Sequence, residues 1–163
     1  MPNINFYDVN KEYIQYLKMF DSKIPNIDYS KHEKFVCGIV LQINGFNYFA
    51  PISSFNKQQK TNILILNENG NPISSIRFSF MFPAPDEVLY RKDFLLLQEY
   101  RFCNKNKDAI YKKARYVYKR VVSGHDEFMT NLCCNFKLLE TKCAEYEMQK
   151  DMLSEVAATN EEE

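Results

Sequence analysis

The chain has 163 residues, 45% of them hydrophobic and 15% aromatic, enough for one buried core and too much for a disordered polymer. Its formal charge is zero, but Asp151, Glu155, Glu161, Glu162 and Glu163 fall in a stretch without Lys or Arg. That leaves 21 basic against 16 acidic residues over positions 1–150, a surplus of five. No run of about 18 apolar residues occurs and Met1-Pro2-Asn3-Ile4-Asn5-Phe6 lacks a leader pattern, so a cytoplasmic protein without a membrane span is expected.

Taken in order, the first expected element is a helix from Lys11 to Phe20. Asn10 is placed as its N-cap, and Tyr13, Tyr16, Leu17 and Phe20 share one face. Ser22 to Glu33 reads as a loop broken by Pro25, Asn26 and Asp28. Phe35 to Ile43 is the clearest strand. Asn44-Gly45 supplies a two-residue turn, and Phe46 to Ala50 returns as the partner strand, ended by Pro51. Further strands are expected at Thr61–Leu66 and Ile76–Phe82, separated by the turn Asn69-Gly70-Asn71-Pro72. The second half reads as helices: a short one from Asp86, then Asp93–Phe102, Asp108–Val122 stopping at Gly124, and Phe136–Gln149. Strands first and helices later predict an α+β fold with one antiparallel sheet. The division is a domain over 1–150 followed by a disordered acidic tail over 151–163.

Many chemistries find no residues here. Four unclustered glycines give no phosphate-binding loop, and neither G-x-S-x-G nor H-E-x-x-H occurs. Cys37, Cys103, Cys133, Cys134 and Cys143 are odd in number and form no CxxC, which predicts reduced, packed thiols rather than a metal site. Nothing in the sequence places the two histidines, His32 and His125, together as an acid–base pair. Neither a cofactor nor a metal is expected.

Three constellations remain. Residues 91–120 carry ten basic side chains, among them Arg91, Lys92, Arg101, Lys112, Arg115, Lys119 and Arg120, against three acids, with Tyr116 and other aromatics interleaved. Cations pair with phosphates and aromatic faces stack on unpaired bases, so the stretch fits RNA; a merely solvated helix face fits equally well. Ala50-Pro51-Ile52-Ser53-Ser54-Phe55-Asn56-Lys57 brings two hydroxyls and an ammonium off the end of a strand. That combination suits gripping a phosphate, and it also suits an ordinary serine-capped turn. Tyr29-Ser30-Lys31-His32-Glu33-Lys34 is a charged loop, and Tyr13 sits where core packing is the simplest role.

The order of segments resembles the ToxN/AbiQ/CptN family, the endoribonuclease toxins of type III toxin–antitoxin systems. The likeness is carried by Phe6-Tyr7, Lys11 through Lys18, Phe20-Asp21 and Lys23-Ile24-Pro25-Asn26. It continues through Lys34, Gly38-Ile39-Val40-Leu41, Gly45, Tyr48 through Ser54, and Cys134 through Glu140. It spans about residues 4–146.

The resemblance implies a strongly twisted antiparallel sheet with flanking helices, related to the Kid/MazF toxins. It implies metal-independent cleavage of cellular RNA to a 2′,3′-cyclic phosphate. It also implies a tandem-repeat pseudoknot RNA antitoxin that the toxin binds and processes, toxin and RNA alternating in a closed ring. Such systems commonly serve plasmid maintenance or abortive infection of phage.

Residue by residue, the family's catalytic pattern falls on Tyr29, Lys34, Ser53 and Ser54, with Tyr13 supporting from the first helix. The family's lysine usually comes two residues after the serine pair. Asn56 occupies that place here, and the role passes to Lys57, one residue later. Lys34 likewise sits one residue further from Tyr29 than is usual. The cations then stabilise charge on the phosphate, the serines donate to its oxygens, and Tyr29 positions phosphate or base. The segment from Arg91 to Arg120 becomes the RNA-binding surface. Two alternatives share the basic surface: a non-catalytic RNA-binding protein, and a ribonuclease toxin neutralised by a protein.

Overall fold

The computed structural model describes residues 3–26, 36–92 and 97–161. Phe6–Val9 forms a short strand, β1, and Asn10 then caps helix α1, Lys11–Lys18. The Asn10 side-chain oxygen accepts from the backbone N–H of Glu12 at 2.8 Å and of Tyr13 at 3.4 Å, satisfying donors that a helix start leaves open. β2 (Val36–Ile43) and β3 (Phe46–Ser53) form the expected hairpin. Asn44 at φ 55° and Gly45 at φ 80° supply the two left-handed positions its turn needs. β4 (Asn62–Leu66), β5 (Pro72–Arg77), β6 (Phe82–Pro83) and β7 (Leu89–Lys92) complete the strands.

These strands make one seven-stranded antiparallel sheet in the order β4-β5-β3-β2-β1-β7, with β6 pairing on β3. β3 is the pivot. Its first part pairs with β2, and its last two residues, Ile52 and Ser53, pair with Ile76 and Ser75 of β5. Pro51 therefore does not end the strand, as its ring suggested. It stands opposite Val36, the first residue of β2, where the ladder on that side is finishing and a missing N–H costs little. Across the sheet from the hairpin turn, β2 carries an irregularity between Cys37 and Leu41. Gly38 lies within it, with its N–H on the Asn5 carbonyl. A Cβ there would stand 2.5 Å from the Tyr7 ring and 2.7 Å from that carbonyl, so only glycine admits β1 so closely.

The helices are α2 (Leu97–Lys105), α3 (Lys107–Ser123), α4 (Glu127–Leu132) and α5 (Phe136–Glu161). α3 buries Ile110, Ala114, Val117 and Val121, the stripe its periodicity predicts, and packs on β2 and β4. α5 packs on β6 and α3, while α1 rests on α5. A buried carboxylate locks the layers together. Glu140 of α5 accepts from the hydroxyls of Tyr48 (β3) and Tyr118 (α3), each at 2.6 Å, and from the Asn44 amide of the hairpin turn at 3.2 Å. Lys137 approaches the same carboxylate at 3.6 Å. A carboxylate so fully bonded tolerates burial. All five cysteines are buried and free.

Three further expectations need correction. The strand placed at Ile76–Phe82 lies earlier, at Pro72–Arg77, because proline is tolerated at a strand's first residue; Phe78–Phe80 is instead a 3₁₀ turn. The helix from Asp86 is a single 3₁₀ turn, Asp86–Val88, that delivers the chain into β7. Residues 151–161, expected to be a disordered tail, continue α5 as helix. No Gly or Pro interrupts the chain after Phe136, and good helix formers outweigh the acidic bias.

Candidate functional site

The end of β3 places the serine pair. Ser53 is the last sheet residue, held opposite Ser75, and Ser54 is the first residue beyond the sheet and is exposed. The Ser53 Oγ accepts from the Phe55 N–H at 3.2 Å. That contact turns the chain and leaves the hydroxyl proton free to donate elsewhere.

Lys57 follows on the loop, exposed, with no acidic partner among the described residues. Its backbone is fixed from below by Asn62, the buried first residue of β4. The Asn62 amide donates to the Lys57 carbonyl at 2.9 Å. Its side-chain oxygen accepts from the Gln59 N–H at 2.8 Å and the Gln58 amide at 2.9 Å. One buried asparagine thus ties down residues 57–59, just beyond the serines. Beside it opens a cleft of about 320 Å³ lined by Gln59, Lys60, Phe128 and Leu132, on whose rim Phe128 is largely exposed.

The sheet supplies a residue that the sequence reading passed over. Arg77, the last residue of β5, pairs with Asn62 across the ladder and lies one diagonal from Ser53. Its guanidinium carbon stands 4.8 Å from the Phe55 ring centre and 4.6 Å from that of Phe80. Burial lowers its pKa. The signal in the sequence was Ile76-Arg77-Phe78-Ser79-Phe80, a lone cation in an otherwise apolar and hydroxyl-bearing run.

Tyr29 and Lys34 lie outside the described residues. Tyr13 is described and fully buried. Its hydroxyl donates to the Pro83 carbonyl, and its ring meets Tyr146 edge-on at 4.9 Å. Burial first, then the neighbouring Cys143 and Glu147, push its phenol well up. Tyr13 therefore joins α1 to β6 and α5 and supports any site from within, without reaching a substrate.

The basic stretch is divided among three elements. Lys112, Arg115, Tyr116, Lys119 and Arg120 are exposed together along α3, with Arg120 5.9 Å from the Tyr116 ring centre and 3.2 Å from Asp126. Arg101 is exposed on α2. Arg91 and Lys92 belong to edge strand β7, where Lys92 pairs with Asp8 at 3.1 Å and Arg91 donates to Asn5 at 3.3 Å. Among the described residues, no group of three or more His, Cys, Asp and Glu side chains is arranged to hold a metal ion. None of the described helices is long and apolar enough to cross a membrane.

Comparison with known proteins places the chain. Residues 5–144 match the family model for toxin ToxN of type III toxin–antitoxin systems. An endoribonuclease ToxN of Bacillus thuringiensis subsp. kurstaki is 29% identical over 173 residues, covering 94% of this chain and 89% of its own. The solved structure of AbiQ, a lactococcal anti-phage endoribonuclease of the same type III class, superposes with a TM-score of 0.83 at 26% identity. It covers 90% of this chain and 99% of its own. A solved type III toxin subject to selective inhibition by a non-coding RNA pseudoknot superposes at 0.82 with 28% identity, covering 90% and 99%. With the fold, the order of segments and nearly the whole length in agreement, the chain belongs to the ToxN family of type III toxin–antitoxin toxins.

Proposed function

We propose that this chain is a metal-independent endoribonuclease toxin that cleaves RNA by attack of a ribose 2′-hydroxyl on the adjacent phosphorus. The observation that carries the reading is the anchored loop. Ser53 and Ser54 leave the sheet just ahead of Lys57, and Asn62 holds the Lys57 backbone. In the reaction the 2′-oxygen loses its proton and bonds to phosphorus, the bond from phosphorus to the 5′-oxygen breaks, and that oxygen gains a proton. The products are a 2′,3′-cyclic phosphate and a free 5′-hydroxyl. Negative charge gathers on the non-bridging oxygens along the way. Lys57 offsets it, and the serine hydroxyls donate to the same oxygens. Lys34 adds a second positive charge and Tyr29 orients phosphate or base, in the roles their family positions carry. The cleft edged by Phe128 suits an unpaired base stacked beside the loop.

The inhibitor in this reading is a tandem-repeat pseudoknot RNA that the toxin binds and processes, with toxin and RNA alternating in a closed ring. It is supported by the pseudoknot that inhibits the related toxin and by the exposed row Lys112, Arg115, Tyr116, Lys119 and Arg120 on α3. Phosphates pair with such a row and bases stack on its tyrosine.

The test is cleavage of an A-rich single-stranded RNA by purified protein in the presence of a chelator. Wild type is expected to cut and to leave cyclic phosphate ends, read by mass spectrometry. Lys57→Ala is expected to lower the rate by about 10²–10³-fold with an unchanged melting temperature. Tight binding without any cleavage would instead make the protein a non-catalytic RNA binder. Wild-type cleavage by the Lys57→Ala variant would remove Lys57 from the mechanism.

A further inference from the structure

A guanidinium sandwiched between two aromatic rings is ordinarily found with a carboxylate nearby, because a charge taken out of water needs a counter-charge. Arg77 has none. Its Nε is buried without an acceptor, and no described residue offers a carboxylate or carbonyl to the rest of the group. The terminal nitrogens, by contrast, are not among the buried unsatisfied atoms, so they reach solvent. The rings of Phe55 and Phe80 offset part of the desolvation and fix the plane of the fork. Were Arg77 only a packing residue, an apolar side chain of similar length would fill the same slot at lower cost.

Its surroundings give this charge a direction. Arg77 and Ser75 lie on one face of β5. Ser53 stands opposite Ser75, and Asn62 opposite Arg77. Phe55, whose ring lies on the guanidinium, is the residue whose N–H rests on the Ser53 hydroxyl. Asn62 in turn holds the carbonyl of Lys57. The cation thus lies against Phe55, within the segment that carries both serines and the lysine. A planar fork with free N–H groups matches two oxygens of a phosphate, whereas a lysine offers a point charge.

We propose that Arg77 is a catalytic residue of this site, its guanidinium binding the non-bridging oxygens of the scissile phosphate from the sheet side while Lys57 approaches from the loop. The inference rests on the endoribonuclease reading above and adds to it a residue outside the serine–lysine segment. Arg77 makes and breaks no bond. It holds charge that is greatest when the 2′-oxygen has attacked and the 5′-oxygen has not left.

The experiment compares wild type, Arg77→Met, Arg77→Lys and Lys57→Ala. Single-turnover cleavage of an A-rich RNA is measured, together with binding of the same oligonucleotide built with 2′-deoxyribose, which cannot be attacked. Arg77→Met keeps a long apolar stem between the rings and is expected to fold, to cleave about 10²–10³-fold more slowly, and to lose about 0.7 from the slope of log affinity against log salt. Arg77→Lys keeps the charge but not the fork and is expected to keep the salt slope and to cleave at an intermediate rate. A folded Arg77→Met variant with wild-type rate and slope overturns the proposal. Should that variant not fold, a wild-type rate in Arg77→Lys overturns it instead. If Lys57→Ala is inactive while Arg77→Met is fully active, this inference alone falls. If wild type cleaves no RNA, the endoribonuclease reading falls with it.

Discussion

In the proposed site, Asn62 acts by holding the loop and not by touching substrate. It is buried at the first position of β4, and three of its side-chain hydrogen bonds go to a loop that has few other anchors. Removing that side chain leaves the Gln59 N–H and the Lys57 carbonyl to water, at a net cost of about 0.5–1.5 kcal/mol per hydrogen bond lost. Asn62→Ala is therefore expected to lower stability by about that amount for each of these bonds in urea titration and to slow RNA cleavage at saturating RNA. Asn62→Ser is expected to recover little, because a hydroxyl is too short to bridge the loop. Cleavage at the wild-type rate by folded Asn62→Ala would show that the loop holds its shape without this anchor. Nothing in the sequence marks Asn62, since its role exists only once β4 lies beneath the loop. Ser53, Ser54 and Lys57 were legible because they are consecutive or nearly so and leave a strand together.

At the scale of elements, the informative contrast lies within α5. Phe136, Leu139 and Cys143 are buried, and Glu140 binds two tyrosines, so its first turns belong to the core. Beyond Lys150 the same helix exposes Met152, Leu153 and Val156, and residues 151–159 are exposed throughout. A helix that buries nothing contributes little beyond its own marginal propensity. A chain ending at Lys150 is expected to melt within about 2 °C of the full chain and to cleave RNA equally fast, measured by circular dichroism and the same cleavage assay. A drop of about 10 °C would show that this last stretch packs on the body in solution. The short strands β1 and β7 escaped sequence reading for a related reason. Four residues are too few for an alternating pattern, and each becomes a strand by lying against its neighbour.

Across the whole molecule, burial of acidic hydrogens sets a response to alkali. Cys133 is pushed up to about 12 and Cys143 to about 11 from an ordinary 9.0, in both cases chiefly by burial. Tyr13, Tyr48 and Tyr118 are raised as well, again chiefly by burial. In the folded state these groups keep protons that the unfolded chain releases. Their stabilising contribution is whole below about pH 9 and is lost as pH climbs through the folded-state values, by about 1.4 kcal/mol per pH unit for each group. The melting temperature is expected to fall steeply between about pH 9 and pH 11, and the thiols to resist alkylation until the fold opens. A melting temperature level across that range would contradict the burial of these groups.

By itself the sequence determined the class of fold, the Asn44-Gly45 hairpin, the buried stripe of α3, the pair Ser53 and Ser54, and the likeness that names the family. Each is local, resting on turn chemistry, on periodicity within one element, or on residues a few positions apart. Only the tertiary structure decided that β3 runs past Pro51 to meet β5, that Tyr13 is sealed in the core, and that the basic residues of 91–120 divide among β7, α2 and α3. It alone set Arg77 against Phe55 and Asn62 against residues 57–59. These facts depend on which strand lies beside which, and strand pairing joins residues far apart in the chain whose types carry no record of their partners.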